Sequence, residues 1–296
     1  MILVDFNQIA YACILEHLSS GDQLPENYSD GPVAPRGEAD IYTVRRMMLN
    51  TLRSNIKKFK GKYGEVVIAY DSDTYWRTEY FPNYKANRKK ARSSSQFNWK
   101  SIHSCLDALY IELKANLMYK VLRVEGAEAD DIIGYLAHVY GPSEKIMIIS
   151  GDKDFIQLQV HPNVEQYSPL IKKNIVDNFP KVTLKQQIIR GDSGDGVPNI
   201  LSPDDVFVSG GRQKPIMEKK LIVWINTPVE EFCNTNEMLR NFRRNEKLID
   251  LKEIPVHIKE AIGQAYDTTI HPNRGQFLNY LATSGLRELT EAVGDF

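Results

Sequence analysis

Gly126-Ala-Glu-Ala-Asp-Asp131 opens, and Gly151-Asp-Lys-Asp-Phe155 closes, the stretch that decides how this chain folds. Between them lie a helix-like run and the apolar segment Lys145-Ile-Met-Ile-Ile-Ser150. Glu128, Asp130 and Asp131 would fill one helical turn, and Glu128 and Asp131 share a face because side chains three apart are neighbours on a helix. Ala129, Ile132, Ile133, Leu136 and Val139 recur behind them at the helical period, which gives this helix an apolar face to bury. The helix dipole favours carboxylates in a first turn by about 0.3–1 kcal/mol each at an exposed site. That accounts for the helix start but not for Asp152 and Asp154, which stand just past an apolar strand. In a parallel sheet the loops at the strand carboxyl ends converge on one crevice, and five carboxylates there repel unless a cation lies among them.

Working outward, Met1-Ile-Leu-Val-Asp5 reads as a short buried strand ending on a carboxylate, followed by a helix through Ile9, Ala12, Cys13 and Leu18. Ile41, Val44, Met48, Leu52, Ile56 and Phe59 mark an amphipathic helix, and Glu65-Val-Val-Ile-Ala-Tyr-Asp71 is a second strand ending on aspartate. Apolar strands need both faces covered, so the expected fold is α/β, a central, mainly parallel sheet flanked by helices. Its carboxyl edge would gather Asp5, Asp71, Asp152 and Asp154, and the helix at Glu128 is delivered to the same place. With oxygen ligands and neither thiolate nor imidazole, the expected metal is Mg²⁺ or Mn²⁺ in preference to Zn²⁺.

A segment of opposite sign lies between the second strand and the acidic helix. Phe81 to Leu106 contains Lys85, Arg88, Lys89, Lys90, Arg92 and Lys100 and no acidic residue, interleaved with Tyr84, Phe97 and Trp99. Basic residues mixed with aromatics suit a polyanion with stackable bases. Such a run beside a metal site favours phosphodiester chemistry. Short runs at Val164–Tyr167 and Asn174–Val176 extend the sheet. Then a short helix from Leu184 breaks into the glycine-rich turn Gly191-Asp-Ser-Gly-Asp-Gly196, whose backbone N–H groups are suited to a phosphate and whose Asp192 and Asp195 reach towards the crevice. From about Pro215 the pattern is helical, and the apolar tail (Phe277, Leu278, Leu281, Leu286, Leu289, Val293) reads as core packing. Residues 19 to 40, rich in Gly and Pro, read as a surface loop.

With 296 residues, 37 Lys plus Arg and 38 Asp plus Glu, the chain is ordinary in composition, so nucleic-acid binding must come from local patches. The three cysteines Cys13, Cys105 and Cys233 form neither a disulfide framework nor a zinc motif, as expected for a cytoplasmic protein. No signal peptide or membrane span is apparent, since the first apolar run stops at Asp5. A phosphatase with an aspartyl nucleophile would need Asp-x-Asp after the first strand, and Asp5-Phe-Asn7 lacks the second carboxylate.

Glu128-Ala-Asp-Asp131, Gly151-Asp-Lys-Asp-Phe155 and Gly191-Asp-Ser-Gly-Asp-Gly-Val-Pro198, in that order after Asp5 and Asp71, resemble the 5′ nuclease (flap endonuclease) superfamily. Tyr75-Trp-Arg77, Tyr84-Lys-x-Asn-Arg88 and Gln166-Tyr-Ser-Pro169 are similar to its bacteriophage ribonuclease H branch, and the resemblance covers nearly the whole chain. It implies a nuclease that removes RNA primers and adjacent DNA in the 5′ to 3′ direction during phage replication and cuts 5′ flaps. A catalytic domain over 1–180 would carry a basic arch at about 82–104. A smaller all-helical domain over 181–296 would hold a helix-turn-helix that grips duplex at 184–200. The resemblance further implies two Mg²⁺ ions, with Asp5, Asp71, Glu128 and Asp130 at the first and Asp152, Asp154 and Asp195 at the second, Asp131 and Asp192 acting directly or through water. Lys85 and Arg88 would face the scissile phosphate, Arg77 would add a phosphate contact, and Tyr84 would stack near the terminal nucleotide. Lys89, Lys90, Arg92, Gly191, Gly194 and Gly196 would contact nucleic acid. The implied partners are DNA and RNA–DNA hybrids with 5′ ends, flaps or forks, a single-stranded-DNA-binding protein and a sliding clamp, for a monomer in the host-cell cytoplasm. A non-catalytic DNA-binding protein of nuclease ancestry is the alternative. After Pro198, Asn-Ile-Leu-Ser-Pro-Asp replaces the glycine-rich second hairpin of cellular members, where a potassium ion would sit.

Overall fold

The computed structural model describes residues 1–19, 38–93, 95 and 97–296, so the loop expected over 19 to 40 lies almost wholly outside the described residues. In chain order the first half is β1 (Ile2–Asp5), α1 (Phe6–Ser19), α2 (Ile41–Tyr63), β2 (Val66–Tyr70), α3 (Trp76–Tyr80), α4 (Ala86–Ser93), α5 (Trp99–Asn116), β3 (Lys120–Arg123), α6 (Ala129–Tyr140) and β4 (Ile146–Ile149). A 3-10 helix (Lys153–Val160), β5 (Val164–Ser168), β6 (Lys173–Ile175) and α7 (Pro180–Arg190) follow. The chain ends with α8 (Glu218–Ile225), α9 (Val229–Phe232), α10 (Asn236–Ile249), α11 (Val256–Thr268), α12 (Arg274–Thr283) and α13 (Arg287–Glu291).

Among the described residues six strands form one sheet in the order β3-β2-β1-β4-β5-β6, parallel except for β6. Strand order reverses on either side of β1, which places a ligand crevice at the carboxyl ends of β1, β2 and β4. Asp5 ends β1, and Asp71 and Asp152 follow β2 and β4. Alternation along β1 sends Ile2 and Val4 into a core built with α1, α2 and α5, and Leu3 into a second core built with α6 and α11. Sequence reading missed β3. It is a four-residue edge strand with Lys120 and Arg123 at its ends, and charged termini are how an edge avoids further pairing, so it lacks the continuous apolar run.

The segment from 181 onward does not pack as one body. Phe277, Tyr280, Leu281, Leu286 and Leu289 join the core around α1, α2 and α5, while Ile258 and Ile262 join the opposite core beneath α6. The helices α7 to α10 gather around a third core, and Phe81 and Tyr84, between α3 and α4, belong to it. Apolar side chains at helical period report that a face is buried but not against which partner. Val139 and Leu278, expected inside, are exposed. The turn after α7 does not lead straight into a helix, because an irregular connection runs to α8. Among the described residues no helix is long and apolar enough to cross a membrane.

Candidate active site

Asp5 is buried at the carboxyl end of β1. Its Oδ1 accepts from the Gln8 N–H (3.1 Å) and its Oδ2 from the Ser150 hydroxyl (2.9 Å). Burial, with Asp71 and Asp152 as like-charged neighbours, lifts its pKa to about 7. Asp71 Oδ1 accepts from Ala129 N–H at the start of α6 (2.7 Å), and Oδ2 accepts from Asn7 Nδ2 (3.0 Å). Burial raises Asp71 to about 6, and nearby Glu128 adds to the rise. Asp130 is raised by burial and by Asp152 and Asp5. Burial and the aspartates 152, 192 and 195 push Asp154 to about 8. Asp130, Asp154, Asp192 and Asp195 border one small cavity together with Tyr84. The carboxylates foreseen at the sheet edge are therefore brought to one place.

Several side chains have other roles than expected. Arg77 is only 3% exposed. Its guanidinium pairs with Glu128 (2.8 Å) and Asp131 (2.8 Å) and donates to the Leu248 carbonyl (2.9 Å), so it is an internal strut joining α3, α6 and α10 and not a phosphate contact. Asp131 is fully buried. It accepts from the Glu128 N–H (2.9 Å) and the Trp76 indole (3.1 Å) as well as pairing with Arg77, which leaves it closing the start of α6 instead of facing a metal. Tyr84 is buried too, its hydroxyl within reach of Glu128 Oε2 (2.9 Å) and Asp195 Oδ2 (2.8 Å), so here it faces the carboxylates.

Lys85 pairs with Glu128 and lies 3.8 Å from Asp195, while Arg88 pairs with Asp195. Burial alone would raise Glu128, but Lys85 and Arg77 hold it down at about 2. Lys85 adopts a left-handed backbone (φ 55°), strain of a kind that collects at functional sites and costs of order 1–3 kcal/mol. The surrounding contacts enforce it, since Lys85 N–H donates to the Asp195 carbonyl (2.8 Å) and Asn87 Nδ2 to the Ser193 carbonyl (2.8 Å). Arg92 stands over the Trp99 ring at 5.0 Å. The side chains of Lys89 and Lys90 lie outside the described residues.

The turn at 191–197 is a clasp, not an open nest of N–H groups. Gly191 N–H donates to the Gln187 carbonyl, Asp192 N–H to Val197, and Gly194 and Asp195 N–H to Asp192 Oδ1. Those donors are spent inside the turn, so they are not free for a phosphate. Gly191 (φ 68°) is required because a Cβ there would lie 2.4 Å from the Val197 carbonyl oxygen, and Gly196 (φ 71°) lets the turn sit against Asn83 and Lys85.

Sequence reasoning overlooked Asn7, Gln8 and Ser150. All three stand at the same strand ends as the aspartates, so the rule that selected Asp5 and Asp152 should have selected them as well. Lys153, which pairs with Asp192 (2.8 Å), carried no signal of its own. Among the described residues no three His, Cys, Asp or Glu side chains stand in a ready-made metal cage. The donor set nevertheless fits a hard divalent cation. It is all oxygen, and Asp5, Asp71, Asp130, Asp152 and Asp154 have no ion-pair partner among the described residues.

Comparison with known proteins gives a consistent result. Residues 33–188 match the family described as 5′-3′ exonuclease, N-terminal resolvase-like domain, and residues 178–296 match the one described as T4 RNase H, C terminal. The chain is 30% identical over 304 residues to ribonuclease H of Enterobacteria phage T4, covering 99% of this chain and 95% of that protein. It is 41% identical over 121 residues to flap endonuclease Xni of Vibrio cholerae, covering 40% of this chain and 44% of that one. Among solved structures, the bacteriophage T5 flap endonuclease in complex with DNA and metal ions is alike in fold, with a TM-score of 0.59 at 16% identity over 90% of this chain and 97% of that one. T5 5′-exonuclease with zinc bound gives 0.57 at 16% identity over 99% and 97%.

Proposed function

We propose, because this chain belongs to the 5′-3′ exonuclease family, that it is a structure-specific 5′ nuclease that removes RNA primers and adjacent DNA and cuts 5′ flaps. The observation that carries this reading is the convergence of Asp5, Asp71, Asp130, Asp152 and Asp154 on one crevice whose wall carries Lys85 and Arg88. Its substrates are DNA and RNA–DNA hybrids with free 5′ ends, flaps or forks.

Asp5, Asp71, Glu128 and Asp130 would hold one Mg²⁺, and Asp152, Asp154 and Asp195, with Asp192 beside them, a second, Mn²⁺ being a substitute. When bound, such ions supply an activated water and stabilise the attacking and leaving oxygens of an in-line displacement. The chain's own part is to position and to neutralise. Asn7 and the Ala129 N–H orient Asp71, and Ser150 and the Gln8 N–H orient Asp5. Lys85 and Arg88 exchange their carboxylate partners for the phosphate that enters beside them and put positive charge where the transition state gathers negative charge. The left-handed backbone at Lys85 keeps the ammonium aimed into the crevice.

The test is a 3′-labelled duplex carrying a 5′ flap or an RNA primer, incubated with Mg²⁺ or with EDTA. Short products released from the 5′ side with Mg²⁺, and none with EDTA, are expected. Binding without cutting under both conditions would favour a DNA-binding protein of nuclease ancestry instead. Lys85→Ala should slow single-turnover cleavage by about 10²-fold with little change in DNA affinity. An unchanged rate would take Lys85 out of the chemistry.

A further inference from the structure

Several side chains hold the Gly151–Phe155 motif, Gln8 and Gln166 at its start and three more, Gln157 from two residues on and Asp192 and Gln187 from farther along the chain. Gln157 donates to the Asp154 carbonyl (2.8 Å) and the Ile249 carbonyl (3.0 Å) and accepts from Leu251 N–H (2.8 Å), which ties the motif's backbone to the end of α10. Asp192 receives Lys153. Gln187, in the last turn of α7, donates from Nε2 to Asp154 Oδ1 (3.0 Å). Of the three, only Gln187 touches a crevice carboxylate that has no cationic partner. Among the described residues it is also the only side chain bonded to the Asp154 carboxylate, and it leaves Asp154 Oδ2 free. Its own Oε1 is buried and finds no donor among the described residues. An amide oxygen left so has lost its water without a replacement, which native structures tolerate chiefly where a further donor arrives.

We propose that Gln187 is a positioning residue of the second metal site: its N–H holds one oxygen of Asp154 so that the other faces the cation, and its buried carbonyl accepts from water bound to that cation. This rests on the metal-nuclease reading above. A ligating carboxylate needs an outer partner to fix its orientation, and such partners typically govern 10- to 100-fold in metal affinity. The same residue's main-chain carbonyl receives Gly191 N–H (2.7 Å) and so starts the turn that carries Asp192 and Asp195. Through Gln187, α7 fixes Asp154 with its side chain and aims Asp192 and Asp195 with its backbone, so displacement of α7 would disturb three carboxylates together.

The test is Gln187→Met in the full chain, similar in length and without either hydrogen-bonding group. Mn²⁺ binding is read by electron paramagnetic resonance of the free ion, alongside the Mg²⁺ dependence of cleavage and the melting temperature. The weaker Mn²⁺ site should lose about tenfold in affinity and the half-saturating Mg²⁺ concentration should rise in step, with most of the rate recovered at saturating metal. In an Asp154→Asn background the same substitution should add nothing further, because the coupled partner is already gone. Superimposable Mn²⁺ isotherms for the wild type and Gln187→Met would overturn the proposal, as would an equal loss in the Asp154→Asn background. If the wild type itself bound no Mn²⁺, the metal-nuclease reading would fall with it. If Gln187→Met melted far below the wild type, Gln187→Leu would take its place in the same cycle.

Discussion

Asp71→Asn is expected to lower single-turnover cleavage of a 5′-flap substrate by about 10³-fold while DNA affinity stays equal or tightens. The loss follows from removing a charged ligand at the reacting phosphate, where even one stabilising contact is worth about 10²- to 10³-fold. The retained affinity follows because one negative charge fewer then faces the DNA backbone. Asp71 is half-buried beside Glu128, and both its oxygens already accept hydrogen bonds, from Ala129 N–H and from Asn7. An asparagine fits the same space and relieves the repulsion but can accept only one of these two hydrogen bonds, so the variant should melt close to the wild type in EDTA. Cleavage and binding measured side by side decide the matter, and near-normal turnover would remove Asp71 from the metal site.

Arg77→Ala is the second large effect, and it acts on stability. The guanidinium is buried between Glu128 and Asp131, packs 4.5 Å over the Trp76 ring and bonds to the Leu248 carbonyl. Removing it leaves Asp131 buried without a cation, and breaking such a pair typically costs about 3–5 kcal/mol. The melting temperature should fall by on the order of 10 °C. A phosphate contact would behave in the opposite way, with weaker DNA binding and an unchanged melting temperature. Arg77→Lys separates charge from geometry: an ammonium keeps the charge but not the fork that reaches two carboxylates and a carbonyl, so it should recover only part of the loss.

Both outcomes turn on where a polar side chain points, and that marks the limit of what could be read from the residues in order. The apolar runs ending on Asp5 and Asp71 and just short of Asp152, and the acidic start of α6, were legible because strand alternation, helical period and position at a strand end are local properties. A parallel sheet then has one carboxyl edge, so the crevice and its all-oxygen character followed without any knowledge of packing. Arg77 and Tyr84 looked like substrate contacts because a basic or aromatic residue near a phosphate site usually is one. Their true partners, Glu128, Asp131, Asp195 and the Leu248 carbonyl, lie 44 to 171 residues away in the chain. The turn at 191–197 differs in kind: Asp192 takes up the N–H groups of Gly194 and Asp195 two and three residues on, a local Asx turn that the Asp-x-Gly spacing allows, and only the packing of Gly196 against Asn83 and Lys85 is remote. Thus the sequence by itself determined which residues carry charge to the crevice. Only the tertiary structure decided which of them stay free to meet a metal or a phosphate and which are held in internal pairs, because a charge is neutralised by whatever folding brings within about 3 Å of it, regardless of separation along the chain.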